Sequence, residues 1–204
     1  MNKKILIAGF EPFGGEVINP SLEAVMSLPS KICDIGIRKL SLPVVFGKSK
    51  DVLYNVLDTD EFDVFICVGQ AGGKTSINIE RIAINIDDTN SPDNEGFAPK
   101  DQPIYAEGPD AYFTTLPIKK IVANLMEEGI PAAVSNTAGT YVCNHIMYAG
   151  LHYASQKRFQ MKVGFVHIPY LPSQVLSKNN IPSMHLDNIV AALVAIVKTT
   201  MDEC

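Results

Sequence analysis

Hydrophobic residues along the chain fall into two kinds of run, and the kinds alternate. Residues 4–9 (KILIAG) and 64–68 (VFICV) are continuous apolar stretches, which read as strands buried on both faces. Residues 35–44 and 77–86 alternate instead, Ile77 and Ile79 against Asn78 and Glu80, with the two-residue period of a strand. Residues 132–135 and 163–167 add two shorter strands. Between them the spacing becomes helical. Asn19-Pro20-Ser21 opens a helix reaching Leu28, with Asn19 as its cap and Pro20 in the first turn. Residues 47–57 follow a helical period, and Ile118, Ile121, Val122, Leu125 and Met126 line one face of a helix that Thr115 is expected to cap and Gly129 and Pro131 to close. A further helix starts near Thr140, and Leu186, Ile189, Val190, Leu193 and Val197 mark the last.

Strands too apolar to tolerate a wet face, alternating with helices, predict an α/β fold: a three-layer α/β/α domain around a mainly parallel twisted sheet. No repeat, linker or low-complexity segment interrupts residues 1–204, so a single domain is expected. A sheet of this kind binds its ligand beyond the carboxyl ends of its strands. That directs attention to residues 10–15, 69–73, 136–143 and 167–169. The stretch 87–112 is polar, carries Pro92, Pro99, Pro103 and Pro109, and reads as a long functional or mobile loop.

Composition narrows the classes. The 204 residues are 47% hydrophobic and 19% charged, which excludes disorder. Seventeen basic residues against 22 acidic ones give a formal net charge of −5, which argues against nucleic acid or an anionic membrane as partner. The longest apolar run, residues 189–197, is far short of the ~18 a membrane span requires. The amino terminus reads as a first strand rather than an export signal, so a cytoplasmic protein with reduced thiols is expected. Cys33, Cys67, Cys143 and Cys204 are too scattered for a C-x-x-C or zinc pattern.

Cys143 stands a few residues into a predicted helix, where unpaired N–H groups and the helix dipole favour an anionic sulfur. It also shares an i, i+4, i+8 stripe with Met147 and Leu151, which is equally the spacing of a core face. His167 ends a predicted strand and suits proton transfer to and from a thiol, although a single strand-end histidine is more commonly structural. Glu80 can orient an imidazole or pair with its neighbour Arg81. Residues 69–75 (GQAGGKT) evoke a phosphate loop but fail on count: the position five before Gly73-Lys74 is Val68, and strand rather than helix periodicity follows. Those glycines instead suit a close approach to a small ligand, with Gln70 able to donate and accept. Phe10 and Phe13 either plug the core or wall a pocket. His145 and His152 share a helix face without a third metal ligand of suitable spacing, so packing is the simpler reading. Without a nucleophile the same fold suits a small-molecule binder, or a nucleotide- or phosphate-using enzyme.

Six runs together, in this order, resemble the type I pyroglutamyl peptidases, a family of cytosolic cysteine peptidases. They are residues 9–14 (GFEPFG), 69–72 (GQAG), 80–85 (ERIAIN), 111–117 (AYFTTLP), 135–144 (SNTAGTYVCN) and 166–170 (VHIPY). The resemblance implies Cys143 as nucleophile, His167 as general base and acid, and Glu80 as the orienting carboxylate. It implies that Phe10, Phe13 and Tyr141 wall the substrate's five-membered ring, with Gln70 a polar contact near the lactam. It further implies peptides blocked by an N-terminal pyroglutamate as substrates, a homotetramer, and no metal or organic cofactor. One departure is visible: Asn78 stands two before the glutamate, where the family often has a hydroxyl residue.

Overall fold

The structure is a computed structural model and describes residues 3–202. It begins with β1 (Lys4–Phe10), whose pleat sends Ile5 and Ile7 to one face and Leu6 and Ala8 to the other. β1 lies between β3 (Ile35–Leu42) and β4 (Val64–Gln70), parallel to both. β4 pairs in parallel with β9 (Lys162–Ile168), and a short β2 (Lys31–Ile32) flanks β3. Three strands run the other way: β2 is antiparallel to β3, and β5 (Ile77–Glu80) is antiparallel to β9 and parallel to β8 (Ala132–Ser135). The sheet order is therefore β2-β3-β1-β4-β9-β5-β8, mainly parallel, with β2 reversed at one edge and the pair β5–β8 at the other.

Helices cover both faces. α1 (Pro20–Ser27), α3 (Ile118–Glu127) and α5 (Leu186–Met201) bury Val25, Leu125 and Ile196 with Ile7, Ile66 and Val166 on one side. α2 (Lys48–Thr59) and α4 (Val142–Lys157) bury Leu53, Leu57 and Met147 with Leu6, Phe65 and Phe165 on the other. The three layers follow from strands that have no polar face.

Four details differ from the sequence reading. The alternating run 77–86 is not one strand: it breaks at Arg81 into β5 and β6 (Ile82–Ile84), and β6 pairs with β7 (Ala111–Phe113) in a separate two-stranded sheet. The Arg81 N–H donates to Ser135 O while its carbonyl accepts from Thr114 N, so this residue hands the chain from one sheet to the other. Thr115 does not cap α3. Its hydroxyl oxygen accepts the Val163 N–H at 2.6 Å, tying the approach to the helix onto β9. The stretch 87–112 is neither structureless nor detached, because Asp87 and Gln102 bridge as antiparallel partners and Asn85 holds Tyr105 at both its N–H and its carbonyl. Cys67 and Cys143 are free thiols, whereas Cys33 is disulfide-bonded, which corrects the expectation of reduced thiols there; Cys204 lies outside the described residues. No helix among the described residues is long and apolar enough to cross a membrane.

Candidate active site

Antiparallel pairing of β5 with β9 sets the register on which the site depends. Asn78 lies directly opposite His167, so Glu80, two residues further along the same face, is its diagonal neighbour. The Glu80 Oε1 and His167 Nδ1 atoms are 2.8 Å apart, and both side chains are buried. Arg81, at the break between β5 and β6, donates from Nε to Asn136 Oδ1 at 2.7 Å. The alternative partner for Glu80 is thus occupied elsewhere. Glu80 Oε2 is buried without a hydrogen-bond partner among the described residues. Asn78 Nδ2 donates to the Ser76 carbonyl at 2.7 Å, so the departure from the family pattern is absorbed locally and leaves the Glu80–His167 contact intact.

Cys143 is the second residue of α4, whose first N–H to reach a carbonyl within the turn is that of His145, bonded to Tyr141 O at 3.1 Å. The N–H groups before it have no acceptor within the helix. Asn144 turns the other way: it accepts Ile84 N–H and donates to the carbonyls of Ile84 and Ile86, clamping β6 to α4. Cys143 is half-buried while Met147 and Leu151 below it are buried, so the apolar stripe and the accessible thiol belong to one helix face at different depths.

Gly69 on β4 explains how the sulfur reaches the sheet. A Cβ there would stand 2.7 Å from Phe165 Cζ and 3.1 Å from Cys143 Sγ, so only glycine leaves room for both. Gly72 similarly yields to the ring of Tyr170. These glycines admit the protein's own side chains, a different use from the ligand approach expected of them, and the segment continues into β5 rather than a helix.

Electrostatics link the three groups. Burial works against a charged His167, but the charge and hydrogen bond of Cys143, followed by those of Glu80, overcome it and raise the imidazole from 6.5 to about 9. Cys67 differs: fully enclosed on β4, its thiol is pushed well up by burial, then by the nearby Cys143. A buried thiol of that kind is inert.

Beside Cys143 opens a narrow, mostly apolar pocket lined by Phe10, Phe13, Asn19, Val44, Gln70 and Tyr141. All four residues expected to meet a substrate therefore border the same space as the thiol. Phe10 is 2% exposed, lies beside Phe165 in the core and also borders the cavity. Tyr141 tilts against Phe13 and meets Phe46 edge-on, and its hydroxyl donates to Pro92 O at 3.1 Å. Burial, with the charges of Asp93 and Cys143, pushes that phenol up to about 12, so it stays neutral.

Sequence reasoning missed the support behind these walls. Asp87 Oδ2 and His145 Nδ1 are 2.7 Å apart in a buried pair, and Asp93 accepts the Phe46 N–H, so residues 87–97 are fastened to α4 and to the β3–α2 connection. Asn19, read only as a cap, also donates to Glu11 O and holds the aromatic loop. The partners lie tens of residues apart, and no local pattern signals them. His152 stacks on Tyr105 and lies 3.0 Å from the Tyr112 hydroxyl, so it and His145 are both engaged in packing contacts.

The fold and this arrangement are those of an α/β protein with a cysteine–histidine–carboxylate constellation at an apolar cavity. The pyroglutamyl peptidase family model matches residues 3–203, and the chain belongs to that family. It is 56% identical over 200 residues to a pyrrolidone-carboxylate peptidase of Thermosipho africanus, with 98% of each chain covered. It is 51% identical to one from Alkaliphilus oremlandii, covering 98% of this chain and 93% of the other. Among solved structures it resembles pyroglutamyl peptidase I from Bacillus amyloliquefaciens at a TM-score of 0.94 and 46% identity, covering 98% of this chain and 96% of that one. A mutant pyrrolidone carboxyl peptidase from Pyrococcus furiosus matches at 0.94 and 44%, with 98% of each chain covered.

Proposed function

We propose that the protein is a cysteine peptidase that hydrolyses the bond after an N-terminal pyroglutamyl residue, working as a single catalytic domain. The observation that carries this reading is the raised His167, held between the Cys143 sulfur and the Glu80 carboxylate at the edge of a neutral, aromatic cavity. A pyroglutamyl group has no α-ammonium and so needs no carboxylate partner; a flat, uncharged lactam is served by aromatic walls and one or two hydrogen bonds. Phe10, Phe13 and Tyr141 provide the walls and Gln70 the polar contact.

In the reaction the Cys143 thiolate forms a C–S bond to the pyroglutamyl carbonyl carbon, and the oxyanion is received by N–H groups of the first turn of α4. The tetrahedral intermediate collapses as the C–N bond breaks and the His167 imidazolium gives its proton to the departing amine. Water then attacks the thioester, its proton goes to His167, and the thiolate leaves as the acid is released. Glu80, bonded to Nδ1, keeps Nε2 directed at the chemistry and balances the imidazolium charge.

Hydrolysis of a pyroglutamyl–coumarin substrate by Cys143→Ser, beside Cys67→Ser and Cys33→Ser, tests the assignment. Loss in the first variant alone supports it, and persistent turnover in that variant overturns it. The chain is further proposed to assemble as a homotetramer, with support from the apolar side chains of Val17 and Leu176, 89% and 88% exposed; sedimentation at micromolar concentration tests this. A cytoplasmic location suits a free catalytic thiol, while the disulfide at Cys33 pulls the other way, and fractionation of the native protein decides.

A further inference from the structure

Gln70 borders the cavity, and its amide is held in one orientation by a chain of two hydrogen bonds that ends on the backbone. Gln174, buried in the 3-10 turn Pro172–Gln174, accepts the Leu171 N–H on Oε1 at 2.9 Å. Its Nε2 donates to Gln70 Oε1, also at 2.9 Å. A backbone N–H can only donate, so the Gln174 atom facing Leu171 must be the carbonyl oxygen and the atom facing Gln70 the amide nitrogen. Gln70 must then answer with its own oxygen. Its NH2 is left on the other side, and among the described residues it has no acceptor.

We infer that Gln174 is a positioning residue for substrate selection: it locks the Gln70 amide so that the cavity wall presents a hydrogen-bond donor, matched to the ring carbonyl of a 5-oxopyrrolidine. This rests on the function proposed above. The other walls are apolar, chiefly Phe10, Phe13, Val44 and Tyr141, and the one further amide, Asn19, is already bonded to Glu11 and Ser21, so the polarity of the Gln70 amide decides much of what the cavity accepts. A rotated Gln70 would set its oxygen against the lactam oxygen. A fixed one favours the lactam over proline, whose ring has no carbonyl to receive the donor.

Two variants read the lock in opposite ways. In Gln174→Glu the carboxylate still accepts from Leu171 but offers Gln70 a second acceptor, so the Gln70 amide turns round and presents oxygen to the cavity. In Gln174→Met the lock is absent and both orientations are sampled. The expected result is a KM for a pyroglutamyl–coumarin substrate that rises roughly tenfold or more in Gln174→Glu and less in Gln174→Met. Inhibition by 2-pyrrolidone should weaken in the same order, with kcat and the rate of Cys143 alkylation by iodoacetamide near wild type. If Gln174 acts only through Gln70, adding Gln174→Met to Gln70→Met leaves KM unchanged, a comparison that does not need the glutamate variant to fold. Unchanged KM in the single variants, a parallel fall in kcat, or simple additivity in the double variant overturns the inference. A wild-type protein inactive on the substrate overturns the reading beneath it instead.

Discussion

Replacing Glu80 by glutamine tests the electrostatic core of the site with almost no change of shape. The carboxylate is 1% exposed and its Oε1 lies 2.8 Å from His167 Nδ1. A charge-assisted bond of this kind contributes about 1.5–3 kcal/mol, and its loss from a step that needs the imidazolium lowers kcat/KM by roughly 10- to 150-fold. The buried Oε2 adds a second consequence. It has no partner among the described residues, so in the variant either the new NH2 occupies that position without an acceptor, or it turns to Nδ1 and forces the wrong tautomer. An unsatisfied buried donor costs about 1–3 kcal/mol, which thermal unfolding reads directly. The pH dependence supplies the sign. Burial opposes protonation of His167, while Cys143 and Glu80 favour it, bringing it to about 9. Removing one favourable charge moves the imidazole down, so the alkaline limb of kcat/KM, expected at about 9 in the wild type, shifts to lower pH. Turnover of a pyroglutamyl–coumarin substrate across that range, with NMR titration of His167, measures both. A limb that stays in place with undiminished kcat/KM refutes the account.

Other expectations follow from the same geometry. Iodoacetamide should modify Cys143 rapidly and leave Cys67 untouched in the folded protein, as mass spectrometry of peptides will report; equal labelling contradicts the assigned burial. Gly69→Ala should cost about 1–3 kcal/mol of stability and most of the activity, because the added methyl meets Phe165 and the Cys143 sulfur; near-wild-type melting and turnover would show that the neighbours yield freely. Cys143→Ser should lower the His167 titration from about 9 in NMR, since the main charge opposing its burial is gone. Asp87→Ala should loosen residues 87–97 and lower stability by about 1–3 kcal/mol, with KM rising more than kcat falls; hydrogen exchange in that segment is the direct check.

The alternation of apolar and helical runs was enough to derive three layers, because strands without a polar face have to be covered on both sides. The capped start of α1 and the core of α4 were legible for similar reasons: each depends on residues within one or two turns of each other. The candidate residues could be named singly from their chemistry, and the six runs resembling one family tied them together. Their assembly was not legible. Glu80 meets His167 because β5 runs antiparallel to β9, and a chain of alternating strands and helices argues only for parallel neighbours. The break at Arg81 was invisible, since the alternation carries straight through it while the hydrogen bonds to Ser135 and Thr114 do not. Thr115 had the chemistry of a helix cap and found a better-placed donor on β9.

Local patterns, then, determined which segments are strands and helices and which residues have reactive side chains, because those properties depend on neighbours a few positions away. Tertiary structure alone decided the reversed β5–β8 edge of the sheet, the room Gly69 makes for a sulfur, and the two-amide chain behind Gln70. Each of these joins groups tens of residues apart, where the fit of one surface against another, and not the order of residues, sets the distance.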